Sequence, residues 1–337
     1  MAHRNIPIFI PHLGCPNQCV FCNQRSISGC HTFSEEQVAD KIEQALSTIS
    51  EKDEAQIAFF GGSFTGIDRD LMIRLLETAE RFVREGRVTG IRLSTRPDYI
   101  SPEILEILSR YSVRDIELGL QSMDDAVLLA SGRGHTKKDA ERACRMVVEH
   151  GFSLVGQMMI GLPGATPESE VQTAEQISLL GASAARIYPT VVFYDTPLAD
   201  MVSTGEYRPL TLDEAVKRSA SVLRVLRTHG VACIRIGLCA GEELTSPEAV
   251  MAGPNHPALG EMVLGECAYL DLFSILEEKG MLGKKLILRV PDTLVSQVVG
   301  QHRCNLLRLE KETETEVRRV VGEKQLQEIL PQLWQNA

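Results

Sequence analysis

Three cysteines stand in a CxxxCxxC spacing within Gly14-Cys15-Pro16-Asn17-Gln18-Cys19-Val20-Phe21-Cys22-Asn23. This stretch follows directly on the first β-like run of the chain. Thiolate sulfur is a soft ligand that suits iron–sulfur chemistry. Three thiolates from one loop can hold three irons of a [4Fe–4S] cluster and leave the fourth iron open to a non-protein ligand. We therefore expect Cys15, Cys19 and Cys22 to bind such a cluster.

Other interpretations of the cysteines stay open. A tetrahedral zinc site could recruit Cys30 as a fourth ligand, although zinc knuckles usually carry two CxxC pairs. Full disulfide pairing within one chain is impossible because the cysteine count is nine. The later cysteines show no ligand spacing as a set: Cys144, Cys233, Cys239, Cys267 and Cys304. We favour buried cysteines that bind no metal over a second metal site that uses Cys233, Cys239 or Cys267.

Around the cysteine loop, short β-like runs alternate with longer amphipathic runs. Several short runs are apolar with little alternation, as expected for parallel strands buried on both faces. The predicted strands are Ile6–Pro11, Gln56–Phe60, Gly90–Thr95, Asp115–Gln121, Ser153–Ile160 and Ala185–Val192. The predicted helices span residues 34–49, 68–85, 102–110, 137–150 and 167–180.

Six strand–helix units predict an α/β fold with a parallel sheet. Right-handed crossovers would curl the sheet into a partial (β/α)6 barrel, with a doubly wound open sheet as the alternative. In both folds, chemistry takes place at the carboxyl ends of the strands. We expect residues 1–240 to form this core domain.

Residues 241–337 are expected to form a small C-terminal α/β region that contributes to substrate binding. A helix at 211–229 precedes it, and residues 237–280 form an irregular stretch. The pattern then predicts a strand at Leu286–Val290, a helix after Pro291-Asp292, a strand at Glu316–Val321 and a last helix that ends near Trp334.

Composition and charge limit the classes of function. The chain is 44% hydrophobic and 24% charged, which excludes collagen, wholesale disorder and a disulfide-dense mini-protein. Its net charge of −10 argues against a globally basic nucleic-acid binder. Residues 281–337 carry nine Lys or Arg against seven Asp or Glu, and Arg303, Arg308 and Lys311 form a local basic stretch that could contact phosphates. The sequence shows no signal peptide or membrane span, so we expect a cytoplasmic protein that does not bind membranes.

Two glycines and two hydroxyl side chains follow the second predicted strand, in Phe59-Phe60-Gly61-Gly62-Ser63-Phe64-Thr65. Glycine lets a ligand approach the backbone closely, although a Gly-Gly pair after a strand is more often a plain turn. Four residues of this stretch are candidates for contact with a cofactor: Gly61, Gly62, Ser63 and Thr65.

Polar side chains also stand at the tips of the later strands, at Gln121 and Gln157, and in the loop after the fourth strand, at Arg133. A polar group at a buried mouth requires a partner, because leaving it unsatisfied is costly. We favour ligand contact for these three side chains, and the planar fork of Arg133 suits a carboxylate. Capping of the next helix explains Ser94 and Ser122 equally well.

The loop and these motifs together resemble the radical S-adenosylmethionine (SAM) superfamily. In that family three cysteines bind a [4Fe–4S] cluster, and the open iron chelates SAM, which is cleaved to methionine and a 5′-deoxyadenosyl radical. The resemblance implies that the Gly61-Gly62-Ser63 motif faces the amino group of SAM. It likewise implies that Gln121 and Gln157 face the ribose and that Arg133 faces the carboxylate. A reducing electron donor such as flavodoxin or ferredoxin is implied as a partner.

Roughly residues 55–215 resemble the catalytic subunit of the Elongator complex more closely, which implies tRNA or another RNA as the substrate. The matching motifs include Thr95-Arg96-Pro97-Asp98, Arg133-Gly134-His135-Thr136 and Tyr188-Pro189-Thr190. The chain departs from that family in its shorter cysteine spacing and in lacking the pattern of the acetyltransferase domain.

The CxxxCxxC spacing is also that of oxygen-independent coproporphyrinogen III oxidase, so a porphyrin-directed oxidase is an alternative. A non-catalytic carrier of haem or an iron–sulfur cluster is another. The sequence assigns no residue a catalytic role.

Overall fold

The computed structural model describes residues 3–10, 13–15, 19–23, 33–50, 53–238 and 249–333. Seven residues that the sequence analysis names lie outside the described residues, so expectations about them stay untested: Pro11, Pro16, Asn17, Gln18, Cys30, Cys239 and Trp334.

A seven-stranded parallel sheet organises the first part of the chain. The strands of the whole chain are β1 (His3–Phe9), β2 (Glu54–Phe60), β3 (Gly90–Thr95), β4 (Val113–Gln121), β5 (Ser153–Ile160), β6 (Ala184–Pro189), β7 (Val192–Phe193), β8 (Ala232–Ile236), β9 (Val250–Ala252), β10 (Lys285–Pro291), β11 (Glu316–Glu323) and β12 (Leu330–Leu333). The large sheet has the order β1-β2-β3-β4-β5-β6-β8. A doubly wound sheet would reverse its strand order near the middle, and this order does not reverse. The sheet curls into a half-barrel, as the sequence predicted.

Helices cover the outer face of the half-barrel and build much of the C-terminal part. They are α1 (Val38–Leu46), α2 (Arg69–Arg84), α3 (Pro102–Leu108), α4 (Asp125–Ala130), α5 (Lys137–Glu149), α6 (Pro167–Leu179), α7 (Pro197–Ser203), α8 (Leu212–Thr228), α9 (Leu259–Glu278), α10 (Val295–Val299) and α11 (Cys304–Thr313). Capping boxes at Thr136, Thr166 and Thr211 fix the starts of α5, α6 and α8. Among the described residues, none of the helices combines the length and apolar character that a membrane crossing requires.

Strand β5 shows which side chains face the inside of the half-barrel. A Cβ on Gly156 would lie 2.5 Å from Cγ2 of Ile177 in α6, so this position faces the helices. Side chains alternate along a strand, and Val155 and Gln157 therefore lie on the concave face. This face carries the polar side chains discussed below.

The described chain divides into two compact units. The first comprises Met1–Ala215 and Val225–Asn255, and the second comprises Val216–Arg224 and His256–Ala337. In the second unit, β11, β10 and β12 form a sheet in that order. Leucines and valines of this sheet and of α9 to α11 form its hydrophobic core, with Leu272, Leu288 and Leu309 fully buried.

Three local predictions need correction. The predicted last helix is wrong, because residues 324–329 form turns and bends and Leu330–Leu333 is a strand that pairs antiparallel with β10. Pro331 is tolerated there because β12 is an edge strand. The stretch expected to be irregular contains the 20-residue helix α9, which has no side-chain cap to announce its start. A seventh strand, β8, extends the sheet beyond the six predicted.

Candidate functional site

The cysteine loop lies at the carboxyl ends of the strands and is fastened by backbone hydrogen bonds. The amide of Val20 donates to the carbonyl of Ser131 at 3.1 Å, and the amide of Leu198 donates to the carbonyl of Val20 at 2.9 Å. Cys15 is exposed, Cys22 is half-buried and Cys19 is buried. Cys19 therefore presents its sulfur to the protein interior.

Two buried guanidinium groups face the sulfur of Cys19. Arg133 donates through Nη1 to Cys19 Sγ at 3.1 Å and through Nη2 to the carbonyl of Gly119 at 2.5 Å. Its Nε is buried and has no hydrogen-bond partner. Arg96 Nη1 lies 3.9 Å from the same sulfur. Both guanidinium groups therefore place their positive charge beside the sulfur of Cys19.

Arg96 organises this end of the site. It contacts Asp98 through Nε at 2.9 Å and donates through Nη2 to the carbonyl oxygen of Arg133. Burial is the largest single influence and lowers the pKa of Arg96. The hydrogen bond and negative charge of Asp98, together with Cys19 and Cys15, outweigh it, so the pKa of Arg96 is raised. Arg96 is a site residue that the sequence analysis did not select, although it quoted the motif.

His135 is a second residue that sequence reasoning missed. It is buried, and neither ring nitrogen has a hydrogen-bond partner of good geometry. Burial, together with the positive charge of Arg133, lowers the pKa of His135 to about 4. The imidazole is therefore neutral at pH 7. The signal in the sequence was its place two residues after Arg133, in a loop that ends at a capped helix.

The glycine motif after β2 packs backbone to backbone against the cysteine loop. A Cβ on Gly62 would lie 2.5 Å from the carbonyl oxygen of Leu13, and the amide of Ser63 donates to that oxygen at 3.0 Å. Gly61 has a φ of +92°, a left-handed value that glycine adopts without strain. The thiol of Cys15 lies 3.8 Å from Ser63 Oγ. The two loops thus form one backbone cradle.

Thr65 differs from its neighbours in the motif. Its hydroxyl lies 2.7 Å from the hydroxyl of Thr95 and donates to the carbonyl of Tyr99 at 3.0 Å. Both partners belong to the protein, so this side chain ties the turn after β2 to the turn after β3.

The two glutamines meet on the concave face. Gln157 Nε2 donates to Gln121 Oε1 at 3.4 Å. Gln121 has a φ of +67° and follows a register shift in β4. Such a bulge redirects a side chain at the end of a strand, and a left-handed backbone in a non-glycine residue is costly and clusters at functional sites. The structure therefore brings Gln121, Gln157, Arg133 and Cys19 to one end of the half-barrel.

The residues fit an iron–sulfur cluster and a ligand with a carboxylate. The chemistry of three thiols on one loop suits iron, and the unpartnered Nε of Arg133 is suited to a carboxylate. Among the described residues, no three His, Cys, Asp or Glu side chains already stand together as a metal-binding group. The assignment of the three cysteines therefore depends on their spacing along the loop.

Comparison with known proteins identifies the family. Residues 9–177 match the model of the radical SAM superfamily, and residues 182–268 match the Radical_SAM C-terminal domain. The chain belongs to the radical SAM superfamily and is an enzyme of that class. Its cofactors are a [4Fe–4S] cluster and SAM, as the sequence analysis expected.

Relatives agree with the more specific resemblance. An uncharacterised protein of Methanocaldococcus jannaschii is 33% identical over 221 residues, 62% of this chain and 67% of that protein. Elongator complex protein 3 of Schizosaccharomyces pombe is 26% identical over 211 residues, 57% of this chain and 39% of that protein. The tRNA uridine(34) acetyltransferase of Methanocaldococcus infernus is 25% identical over 201 residues, 54% of this chain and 38% of that protein. The chain thus spans well under half the length of the latter two.

A solved structure shows the same fold. Elp3 of Methanocaldococcus infernus, with an N-terminal deletion, matches with a TM-score of 0.62 at 19% identity and covers 88% of this chain and 67% of that chain. At this identity the likeness concerns the fold.

Proposed function

We propose that the chain cleaves SAM to methionine and a 5′-deoxyadenosyl radical. We further propose that this radical abstracts hydrogen from an RNA substrate, and that the RNA is a tRNA. One observation carries the first part of the proposal. Buried Arg133 links the sulfur of Cys19 to the end of β4 and keeps one unpartnered N–H. A carboxylate bound there would lie beside the cluster loop.

The geometry of the cradle supports a proposed role for each residue. Cys15, Cys19 and Cys22 are proposed as the ligands of the cluster, with Arg96 and Arg133 stabilising the negative charge of the sulfurs. Backbone groups at Gly61 and Gly62 and the side chain of Ser63 would bind the amino group of SAM, while Thr65 holds the turn.

On the opposite side, Gln121 and Gln157 would bind the ribose. The buried surroundings restrict water, which protects a reactive radical from side reactions. Flavodoxin or ferredoxin is proposed as the electron donor, in a reducing compartment such as the cytoplasm. The C-terminal region from residue 241 is proposed to contribute to substrate binding.

Anaerobic reconstitution with iron and sulfide tests SAM cleavage. We expect dithionite and SAM to yield 5′-deoxyadenosine with the wild-type chain and none above background with Cys19→Ala. Cys144→Ala is the matched control, because Cys144 is buried in α5 away from the loop and burial raises its pKa to about 12. Equal product from wild type and Cys19→Ala would contradict the proposal.

The RNA substrate is tested separately. Its support is the similarity to a protein named as a tRNA uridine(34) acetyltransferase. Nucleoside profiling of total tRNA from a deletion strain should show the loss of one modified nucleoside, restored by the wild-type gene and not by the Cys19→Ala variant. An unchanged profile would contradict the tRNA substrate, and consumption of added coproporphyrinogen III in the SAM assay would support the porphyrin alternative instead.

A further inference from the structure

The concave face of the half-barrel carries a second cluster of polar groups, separate from the cysteine loop. It contains Arg92 on β3, Glu117 on β4 and Arg186 on β6, whose exposed fractions are only 5%, 3% and 8%. Charged side chains are rarely buried to this degree unless they are fully paired. The pairing within the cluster therefore decides what the cluster can bind.

Arg186 is paired within the cluster, whereas Arg92 is only partly satisfied. Arg186 Nε lies 2.9 Å from Glu117 Oε2, and Arg186 Nη1 donates to the hydroxyl of Tyr188 at 3.0 Å. Arg92 Nη1 makes one long hydrogen bond of 3.4 Å to Asn5 Oδ1. Arg92 Nε is buried and has no hydrogen-bond partner. An unmet N–H of a buried guanidinium is costly, since the charge has lost its water.

The cluster also has an excess of positive charge. Its two arginines stand against one carboxylate, Glu117, so the three buried side chains carry a net charge of +1. Asp115, the register partner of Arg92 on β4, adds a half-buried carboxylate that already accepts a hydrogen bond of 2.9 Å from Gln56.

Burial shifts the pKa of both an acidic and a basic group of the cluster towards the uncharged form. It raises the pKa of Glu117 despite the nearby arginines, and it lowers the pKa of Arg92 despite Asp115 and Glu117. A protonated Glu117 would increase the positive excess. An added anion would stabilise the buried positive charge of Arg92.

The position of the cluster relates it to the SAM candidates. Arg186 is the register partner of Gln157 on the neighbouring strand, so it lies beside the proposed ribose contact. The guanidinium carbon of Arg186 lies 5.4 Å from the ring centre of half-buried Phe60. An aromatic wall and a cationic group thus adjoin the place where the radical would form.

We propose that Arg92 and Arg186 form a subsite for an oxyanion of the substrate, either a carboxylate or a phosphate. Its role as a substrate subsite rests on the proposed function, but anion binding itself does not. Guanidinium groups suit both oxyanions because their fork of N–H donors matches the spacing of the oxygens. Glu117 competes with the anion for Arg186 and so limits its affinity.

Thermal unfolding of the full purified chain, without cluster or SAM, tests this subsite. Sodium phosphate and sodium acetate are titrated at constant ionic strength against sodium chloride. We expect a saturable rise in the unfolding midpoint with phosphate or acetate, and the stronger of the two identifies the oxyanion. Arg92→Gln should weaken the apparent affinity about tenfold or more, the worth of a charged hydrogen bond. The control Arg110→Gln removes an exposed arginine paired with Glu106 and should match wild type.

A second variant changes the affinity in the opposite direction. Glu117→Gln removes the competing carboxylate and should strengthen anion binding, which a purely structural role of the cluster does not explain. If Arg92→Gln does not fold, the anion affinity is measured with Arg92→Lys and Glu117→Gln instead. A wild-type response no larger than that to chloride, or equal affinities in wild type and both variants, would overturn the subsite. Since this assay needs neither cluster nor SAM, its failure is distinct from failure of SAM cleavage.

Discussion

Partly or fully buried arginines occur at the carboxyl end of the half-barrel and in the second compact unit, here called the C-terminal unit. The two regions differ in what these arginines contact. At the half-barrel, Arg96 and Arg133 direct donors at the sulfur of Cys19. In the C-terminal unit, Arg308 is bound by Glu266 at 2.7 Å and by Glu312 at 2.9 Å, and it lies 3.9 Å from the ring centre of Tyr269.

The difference lies in how much positive charge remains for a ligand. Arg133 keeps an unpartnered Nε, whereas two carboxylates already neutralise Arg308. The basic stretch near residue 303 therefore offers less charge to phosphates than its composition indicates. An arginine is available to a ligand only where the fold leaves its donors unmet, and four tests follow from this contrast.

Replacing Arg133 should give the largest effect. Arg133→Gln removes the donor to Cys19 and the proposed carboxylate contact, so we expect SAM cleavage to fall about 10- to 100-fold, as for groups that support metal ligands. Arg308→Gln should stay within about twofold, since it touches neither group. Rates of 5′-deoxyadenosine formation measure both, and similar losses in the two variants would break the comparison.

His135 predicts a pH dependence of stability. Its pKa of about 4 in the folded chain lies below the ordinary value of 6.5, so the unfolded chain binds a proton first as the pH falls. Stability is therefore present above pH 6.5 and is lost towards pH 4, by about 1.4 kcal/mol per pH unit within this window. Urea unfolding of the cluster-free chain at pH 6.5 and 4.5 should show about 2 kcal/mol more loss in wild type than in His135→Asn. Equal losses in both would show that His135 does not stay neutral.

Arg308 should matter for stability rather than for catalysis. Arg308→Gln removes two half-exposed ion pairs and the contact with Tyr269, which together stabilise by about 1 kcal/mol. The unfolding midpoint of the C-terminal unit should fall by a few degrees, while Arg303→Gln, which alters an exposed side chain, should leave it unchanged. A midpoint unchanged by Arg308→Gln would show that the three contacts contribute nothing measurable.

The smallest effect concerns RNA. If the basic stretch binds phosphates, charge reversal at Arg303 and Lys311 should weaken tRNA retention at low salt several-fold, and should reduce the salt slope by about one unit per contact removed. Arg308→Gln should not change retention. Weaker binding by Arg308→Gln than by the double variant would reverse the roles assigned to these arginines.

Much of the candidate site was predictable because it lies where apolar runs end. Gln121 ends β4 and Gln157 lies in the second half of β5, and the parallel sheet brings these parts of the two strands together. The partners of Cys19 were not predictable, since Arg96 and Arg133 lie 77 and 114 positions further along the chain. Contacts across such separations are set by the tertiary fold.

The missed elements have local causes. α9 is apolar on most sides, and Ala258, the residue before its start at Leu259, has no capping side chain. Neither an apolar stripe nor a start signal therefore marks this helix in the sequence. β12 has a helix-like pattern of leucines, but pairing with β10 decides its structure. Tertiary pairing overrides local preference in such short segments.

The hydrogen bonds of the cysteine loop have a consequence for biosynthesis. The loop leaves the ribosome well before Ser131 and Leu198, yet Val20 is hydrogen-bonded to both. The surroundings of Cys19 can therefore close only after residue 198 has been synthesised. During translation the cysteines are synthesised long before the residues that surround them. Metal is therefore loaded after most of the half-barrel has folded. Until then the thiols of the nascent chain are exposed to oxygen and to competing metals.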